Sequence, residues 1–358
     1  MPGDTDPLYW IALSMVPGIG PVLFKRLLDR FGSPERVFKS PLPLLKGVEG
    51  VGERLSAEIH SFRQWKDAED EVAKADSFGA AIVTITDDEY PKNLLNIYDP
   101  PPYLYVKGRL LAGEKSMAVV GSRFASQYGR IVAEGISRDL AKNGFTVASG
   151  MARGIDTSAH KGAMAASGRT IAVLGSGINV AYPPENKGLY EEICRNGAVV
   201  SELPMGAEPL SEHFPARNRI ISGISMGVLI VEASLKSGSL ITAACAAEQG
   251  REVFAVPGNI NSNGSKGTNK LIKDGAKLVE GVGDILEEFD SRPDNSTAAT
   301  NLSKEEASVM DVLTEPVQID EIASLSGMDV RSVSAILLNL ELSGIVRQLP
   351  GMVFVKNI

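Results

Sequence analysis

The sequence predicts an α/β protein: a doubly wound, mostly parallel sheet flanked by an N-terminal helical domain and a C-terminal winged helix. Three observations carry this. Seven short apolar runs in the middle of the chain alternate with helical patterns, the rhythm of βαβ units. Ahead of them, two similar Gly-h-Gly turns (h, hydrophobic) each open an amphipathic helix. Behind them, past a polar stretch, come a helix-turn-helix pattern and a closing hairpin. The boundaries read as 1–75, 76–290, a linker at 291–302, and 303–358.

The N-terminal turns are VPGIGPVLFKRLL (Val16–Leu28) and VEGVGERLSAEI (Val48–Ile59), with apolar sets Val22, Leu23, Leu27 and Leu55, Ile59. This is a helix-hairpin-helix, SAM-like signature, in which glycines let the backbone approach a DNA phosphate at a helix N-terminus. A small helical bundle that keeps the shape without the binding is the alternative, since Met1–Asp70 holds 9 Lys+Arg against 10 Asp+Glu.

The central runs are Ala80–Ile85, Ser116–Gly121, Phe145–Ser149, Thr170–Gly175, Ala198–Glu202, Gly227–Ala233 and Glu252–Gly258. Each is short, rich in Val, Ile and Ala, and bounded by Gly, Pro or polar residues, as buried strands are. Helical stretches such as Gln127–Asn143 and Leu240–Gln249 separate most of them. Ser291–Ser303 is polar and aperiodic, a linker. Beyond it, Ser303–Ile358 carries 4 Lys+Arg against 8 Asp+Glu, and the expected recognition helix Val330–Leu342 offers Arg331 alone as a cation. Duplex DNA readout wants several cations, so a protein contact or a structural role is expected there.

Composition narrows the classes further. The 358 residues are 44% hydrophobic and 22% charged with net charge -8, an ordinary globular balance that argues against a broadly basic nucleic-acid coat. A local phosphate pocket stays compatible with it. No apolar run approaches the roughly 20 residues of a membrane span, and no basic segment precedes the first apolar stretch, so a cytoplasmic protein is expected. With only Cys194, Cys245, His60, His160 and His213, neither a disulfide framework nor a metal centre is expected.

In an open parallel sheet, ligands bind beyond the carboxyl ends of the strands, so the loops there carry the candidate site. In VVGSRFAS (Val119–Ser126), Gly121 permits close approach, Ser122 follows, and Arg123 can grip a phosphate beside a helix start. The dinucleotide fingerprint GxGxxG is missing, which disfavours a nicotinamide; no cofactor is expected. In SGMARGIDTSAHKGAM (Ser149–Met164), Gly150, Arg153 and Gly154 form the turn and Asp156 or Thr157 can cap the next helix. GSGINVAYPPEN (Gly175–Asn186) is again glycine-rich. In HFPARNRIISGIS (His213–Ser225), Phe214, Arg217, Asn218 and Arg219 interleave an aromatic with cations, which suits single-stranded nucleic acid; Phe214 equally fits a core position. In LKSGSLITAACAAEQG (Leu235–Gly250), Lys236, Ser237, Gly238 and Ser239 precede a helix as another anion-binding start. So many such loops on one rim suit several phosphates in a row.

Ser149, Asp156 and His160 are the residue types of a hydrolytic triad. Ser149, however, sits in a strand and outside any GxSxG elbow. They read as strand terminus, helix cap and helix-face hydrogen-bonder, and no catalytic residue is assigned.

At these loops the chain closely resembles the DNA-processing protein A (DprA/Smf) family of bacteria. The strings are VVGSR, SGMARGIDTSAHKGA, TIAVLGSGINVAYPPEN, SELPMGAEPLSEHFPARNRIISGIS, VLIVEASLKSGSLITAACAAEQGREVFAVPG and GTNKLIKDGA, covering most of Val119–Ala276. The resemblance implies a Rossmann-like core and a non-enzymatic protein. Such a protein binds single-stranded DNA entering during transformation, protects it, helps load the RecA recombinase, and forms a homodimer through that core. Carried over, its DNA pocket includes Gly121, Ser122, Arg123, Gly150, Arg153, Phe214, Arg217 and Arg219. Two alternatives remain: a nucleotide or nucleoside-phosphate hydrolase on a similar sheet, and a protein-interaction scaffold. SLKSGSLITAA lacks the glutamate that the PGGxGTxxE-like loop of such hydrolases supplies.

Overall fold

Six helices open the chain: α1 (Pro7–Met15), α2 (Pro21–Phe31), α3 (Pro34–Lys39), α4 (Leu42–Lys46), α5 (Glu53–His60) and α6 (Trp65–Phe78). Proline sits in the first turn of α1 to α4, where its missing N–H leaves no bond unmade. Asp6 and Ser33 side chains cap α1 and α3. The two Gly-h-Gly turns lead into α2 and α5, and α6 runs on to Phe78, past the expected boundary at 75. The helices share a hydrophobic core with one face of the sheet: Trp10, Phe24, Leu27 and Ile59 cluster with Tyr105, Leu174 and Val199.

The computed structural model describes residues 6–290, 303–313, 316–342, 345–349 and 351–356; the expected linker 291–302 lies outside the described residues. After α6 come β1 (Ala81–Thr84), α7 (Lys92–Leu95), β2 (Tyr103–Gly108), β3 (Ser116–Val120), α8 (Gln127–Lys142) and β4 (Thr146–Ser149). Then follow α9 (Ile155–Ala165), β5 (Thr170–Val173), α10 (Lys187–Asn196), β6 (Ala198–Ser201), α11 (His213–Ile224) and β7 (Gly227–Ile230). Next come α12 (Ser239–Glu248), β8 (Glu252–Ala255), α13 (Lys266–Lys273), β9 (Lys277–Leu278) and α14 (Val282–Asp290).

Each expected apolar run contains a strand. The sheet order is β1-β2-β6-β5-β4-β3-β7-β8-β9. From β6 to β9 neighbours are parallel, while β2 pairs antiparallel with β6 and β1 antiparallel with β2. The five strands β3 to β7 are buried along their whole length, which is why they read as unbroken apolar runs rather than alternating ones. Strands β2 and β9 were not anticipated: β2 follows the run Pro100–Pro102, which reads as a loop, and β9 has two residues. Expected as a buried strand, β1 is instead at the sheet edge, with Ala81 exposed.

From β3 the chain steps through β4 and β5 to β6 in one direction, then returns past β3 to lay down β7. The order reverses between β3 and β7, and the loops leaving these two strands must part there. That opens a crevice at their carboxyl ends.

Met1–Ile285 forms one compact unit and Leu286–Ile358 a second. In the second, α15 (Lys304–Val312), β10 (Val317–Gln318), α16 (Ile319–Ser326), α17 (Val330–Leu342), β11 (Val346–Leu349) and β12 (Val353–Lys356) make a winged helix. Its sheet order is β10-β12-β11, and Val309, Ile322, Leu337 and Phe354 are in its core. A capping box between Ser303 and Glu306 starts α15.

Candidate nucleic-acid interface

The crevice at the reversal point has a volume of about 440 Å³. Its walls are the loop after β3 (Gly121, Ser122, Arg123, Phe124), Ala152 and Asp156 beyond β4, the segment after β7 (Ser234, Lys236, Ser237, Gly238) and the start of α12. One face of α11 closes it.

That face corrects an expectation. His213–Ser225 reads as a loop ahead of a helix, but α11 begins at His213 itself. On a helix, residues spaced by three, four and seven share a side, and Phe214, Arg217, Asn218 and Ile221 all line the crevice. Arg219, two residues from Arg217, is turned roughly 200° away. Its Nη2 meets both carboxylate oxygens of Glu202 (2.5 and 2.6 Å), its Nη1 donates to Asp99 O (2.8 Å), and its Nε lies 3.2 Å from Asp99 Oδ2. Grouping Arg219 with Arg217 in one pocket is therefore wrong: its charge is satisfied elsewhere.

Arg217 is only 6% exposed. Its Nη1 donates to Gly150 O (2.8 Å) and to Val173 O, so it ties the ends of β4 and β5 together. Burial lowers its pKa to about 10, which leaves it a cation at neutral pH. Asp156 beneath it accepts from Gly150 N (3.2 Å) and Ala152 N (3.3 Å), holding the turn after β4. Burial pushes the Asp156 carboxyl up to about 6 against the pull of Arg217 and those two N–H groups. Asp156 thus caps the loop rather than its own helix, whose N-cap is Gly154.

Gly154 is where the two loops touch. Its φ is +77°, and a Cβ there would come within 2.3 Å of Ser122 O and 2.8 Å of Arg123 O. Ile155 N donates to Ser122 O (3.2 Å) across the same junction. This close approach sets Arg123, which is exposed, with its guanidinium 4.9 Å from the centre of the Phe214 ring. Tyr182 lies 5.8 Å from that ring on another side.

The start of α8, expected to attract an anion, already holds one. Glu232 at the end of β7 accepts from Ser126 N (3.0 Å) and Ser126 Oγ (2.8 Å). Its partner lies 106 residues away in sequence, so no local pattern announces it. At the start of α12 the acceptor is local, Ser237 Oγ taking Ser239 N (3.4 Å), and Lys236 beside it is exposed and has no ion pair among the described residues.

Gly150 and Arg153 line a smaller adjoining hollow with Tyr182 and Pro183, sharing Arg123 and Phe214 with the crevice. There Arg153 is paired with Glu185: Nε bonds Oε1 and Nη2 bonds Oε2 (3.1 Å). The structure thus brings Gly121, Ser122, Arg123, Phe214, Arg217, Asn218 and Lys236 to Ser239 to one crevice, sets Gly150 and Arg153 next to it, and packs Gly154 under it. Phe124 and Glu232 were missed, and Asp156, read as a helix cap, lines the crevice.

The triad types are all engaged. Ser149 Oγ donates to Val119 O (2.6 Å) inside the sheet. Thr170 Oγ1 donates to Val147 O (2.6 Å), so His160 Nδ1–H must be the donor in its 2.6 Å bond to Thr170 Oγ1. Burial lowers the His160 pKa to about 3, keeping the ring neutral. Among the described residues no cluster of His, Cys, Asp and Glu suits a metal, and no helix is long and apolar enough to cross a membrane.

Comparisons with known proteins agree with this geometry. The family model of DNA recombination-mediator protein A matches residues 81–290, and that of the DprA winged helix domain matches residues 293–352. Protein Smf of Synechocystis sp. is 35% identical, with 98% of each chain covered. The X-ray structure of DNA processing protein A from Streptococcus pneumoniae superposes with a TM-score of 0.68 at 38% identity, covering 78% of this chain and 97% of that one. The DNA processing protein A of Helicobacter pylori, whose structure describes a single-stranded DNA binding mode, gives 0.53 at 31% identity over 59% and 96% of the two chains.

Proposed function

Because the chain belongs to the DNA recombination-mediator protein A (DprA/Smf) family, we propose that it binds single-stranded DNA in this crevice and serves DNA processing in natural transformation. In that role it protects incoming DNA and helps load the RecA recombinase, as a cytoplasmic homodimer joined through the Rossmann-like core. The carrying observation is convergence: Arg123, Lys236 and the start of α12 meet on one crevice. Cations beside a helix N-terminus are partners a phosphate backbone selects. The single-stranded DNA binding mode described for the Helicobacter relative supports the same ligand. Asp156, which lines the crevice, and Glu232, at the start of α8, are both spent on the protein's own N–H groups, which favours binding over catalysis. Turnover of a mononucleotide by the purified protein would instead favour a hydrolase.

The test is competition between single- and double-stranded oligonucleotides, read by band shift at two salt concentrations. Preference for the single strand is expected. Arg123→Ala with Lys236→Ala should weaken binding and flatten the salt dependence by about 1.4 log units, two phosphates at about 0.7 each. Unchanged affinity in that pair would remove the pocket from consideration. Arg217 is unsuited to this test because it braces the sheet.

Glu185 provides a second handle. Its carboxylate occupies Arg153 as a phosphate would, so Glu185→Gln should free that cation, tighten single-strand binding and steepen the salt slope by about 0.7. A slope identical to wild type would mean that Arg153 meets no phosphate.

A further inference from the structure

Phe214, the aromatic that the sequence singles out for stacking, is already partnered. Arg123 lies over its ring at 4.9 Å, Tyr182 sits at 5.8 Å, and Gly175 packs so close that a Cβ would fall 2.8 Å from it. Its place is to hold Arg123. Phe124 is the opposite case. It lines the crevice, is 91% exposed, and among the described residues its ring has no aromatic or cation partner. Leaving a phenylalanine in water forgoes the roughly 1.5–3 kcal/mol its burial would return.

The loop that presents this ring is braced. Phe124 N donates to Ser122 Oγ (3.1 Å), and Ser122 N donates to Glu232 O (2.7 Å). Phe124 also follows Arg123 directly, about 3.8 Å along the chain, so a nucleotide whose phosphate meets Arg123 has its base within reach of the ring. We propose that Phe124 is a base-stacking platform, with the strand's phosphates on Arg123 and Lys236 and a neighbouring base on the phenyl face. The proposal rests on the single-stranded DNA reading above. A nucleobase is favoured over a protein surface because Phe124 shares the crevice with those cations. The other exposed apolar residues nearby in sequence, Tyr128 (57%) and Ile131 (61%), do not line it.

Stacking on an aromatic adds affinity without releasing counterions, which separates it from the cation contacts. With the full chain and a labelled oligo-dT, Phe124→Ala should weaken binding by about 5- to 150-fold, the worth of one base–aromatic stack. The salt slope should not change. Phe124→Trp should keep the affinity, and its added fluorescence should be quenched by the oligonucleotide. Trp10 (1% exposed) is buried and Trp65 lies in α6, on other elements, so the new signal reports the crevice. Wild-type affinity in Phe124→Ala, a flattened slope, or no quenching in Phe124→Trp would overturn the stacking role. Failure of the wild type to bind oligo-dT would overturn the DNA reading itself, so the two failures are distinct.

Discussion

Arg217→Ala is expected to destabilise the main unit by about 3–5 kcal/mol, the cost of removing one member of a buried charged set. At 6% exposure the guanidinium is the donor for Gly150 O and Val173 O and the countercharge for Asp156. Alanine leaves two buried carbonyls unpaired at the ends of adjacent strands, and a buried carboxylate without its cation. A thermal melt followed by circular dichroism should drop by roughly 10 °C, since 1 kcal/mol moves a unit of this size by about 2–4 °C. Lysine should not rescue it, because a strongly hydrated ammonium costs more to bury than the weakly hydrated guanidinium. A melting temperature within 2–3 °C of wild type, on the order of a single kcal/mol, would show that the brace is dispensable.

Gly154→Ala should abolish the site's shape. The residue combines φ +77° with a Cβ position 2.3 Å from Ser122 O, so alanine meets both backbone strain and a backbone oxygen that cannot rotate away. Strain alone costs about 1–3 kcal/mol; relieving the clash also requires the loops after β3 and β4 to separate, which moves Arg123. Single-strand affinity should fall at least as far as in Arg123→Ala, with a lowered melting temperature. Gly250→Ala is the control: φ is +66° there, but nothing lies within 4 Å of the added carbon. It should show the strain and retain DNA binding. Equal binding by both variants would refute the loop contact.

How much was legible in advance follows from the range of the forces involved. Strands β3 to β7 were readable because a strand covered on both faces must be apolar at every position. The winged helix followed from local periodicity, and the span Val330–Leu342 matches α17. Glycine and arginine at the strand ends pointed to the rim, because backbone approach and anion affinity are properties of the single residue. The separation of Arg217 from Arg219 was available in principle: once His213–Ile224 is taken as helical, residues two apart cannot share a face. Pro215 three residues into α11 masked it, since proline is tolerated in a first turn but reads as a loop residue.

Other features lie beyond any local pattern. Strand order decides that the β3 and β7 loops part, and order is set by which sheet edge each new strand reaches. Glu232 neutralises the start of α8 from 106 residues away, Glu185 holds Arg153 from 32 residues away, and Arg123 covers the Phe214 ring. The amino-acid sequence by itself determined which groups have the chemistry to meet a phosphate or a base, because charge, hydrogen-bonding capacity and backbone freedom are properties of single residues. Only the tertiary structure decided which of them remain free to do so, because a cation or a ring is available only when no internal partner has reached it first.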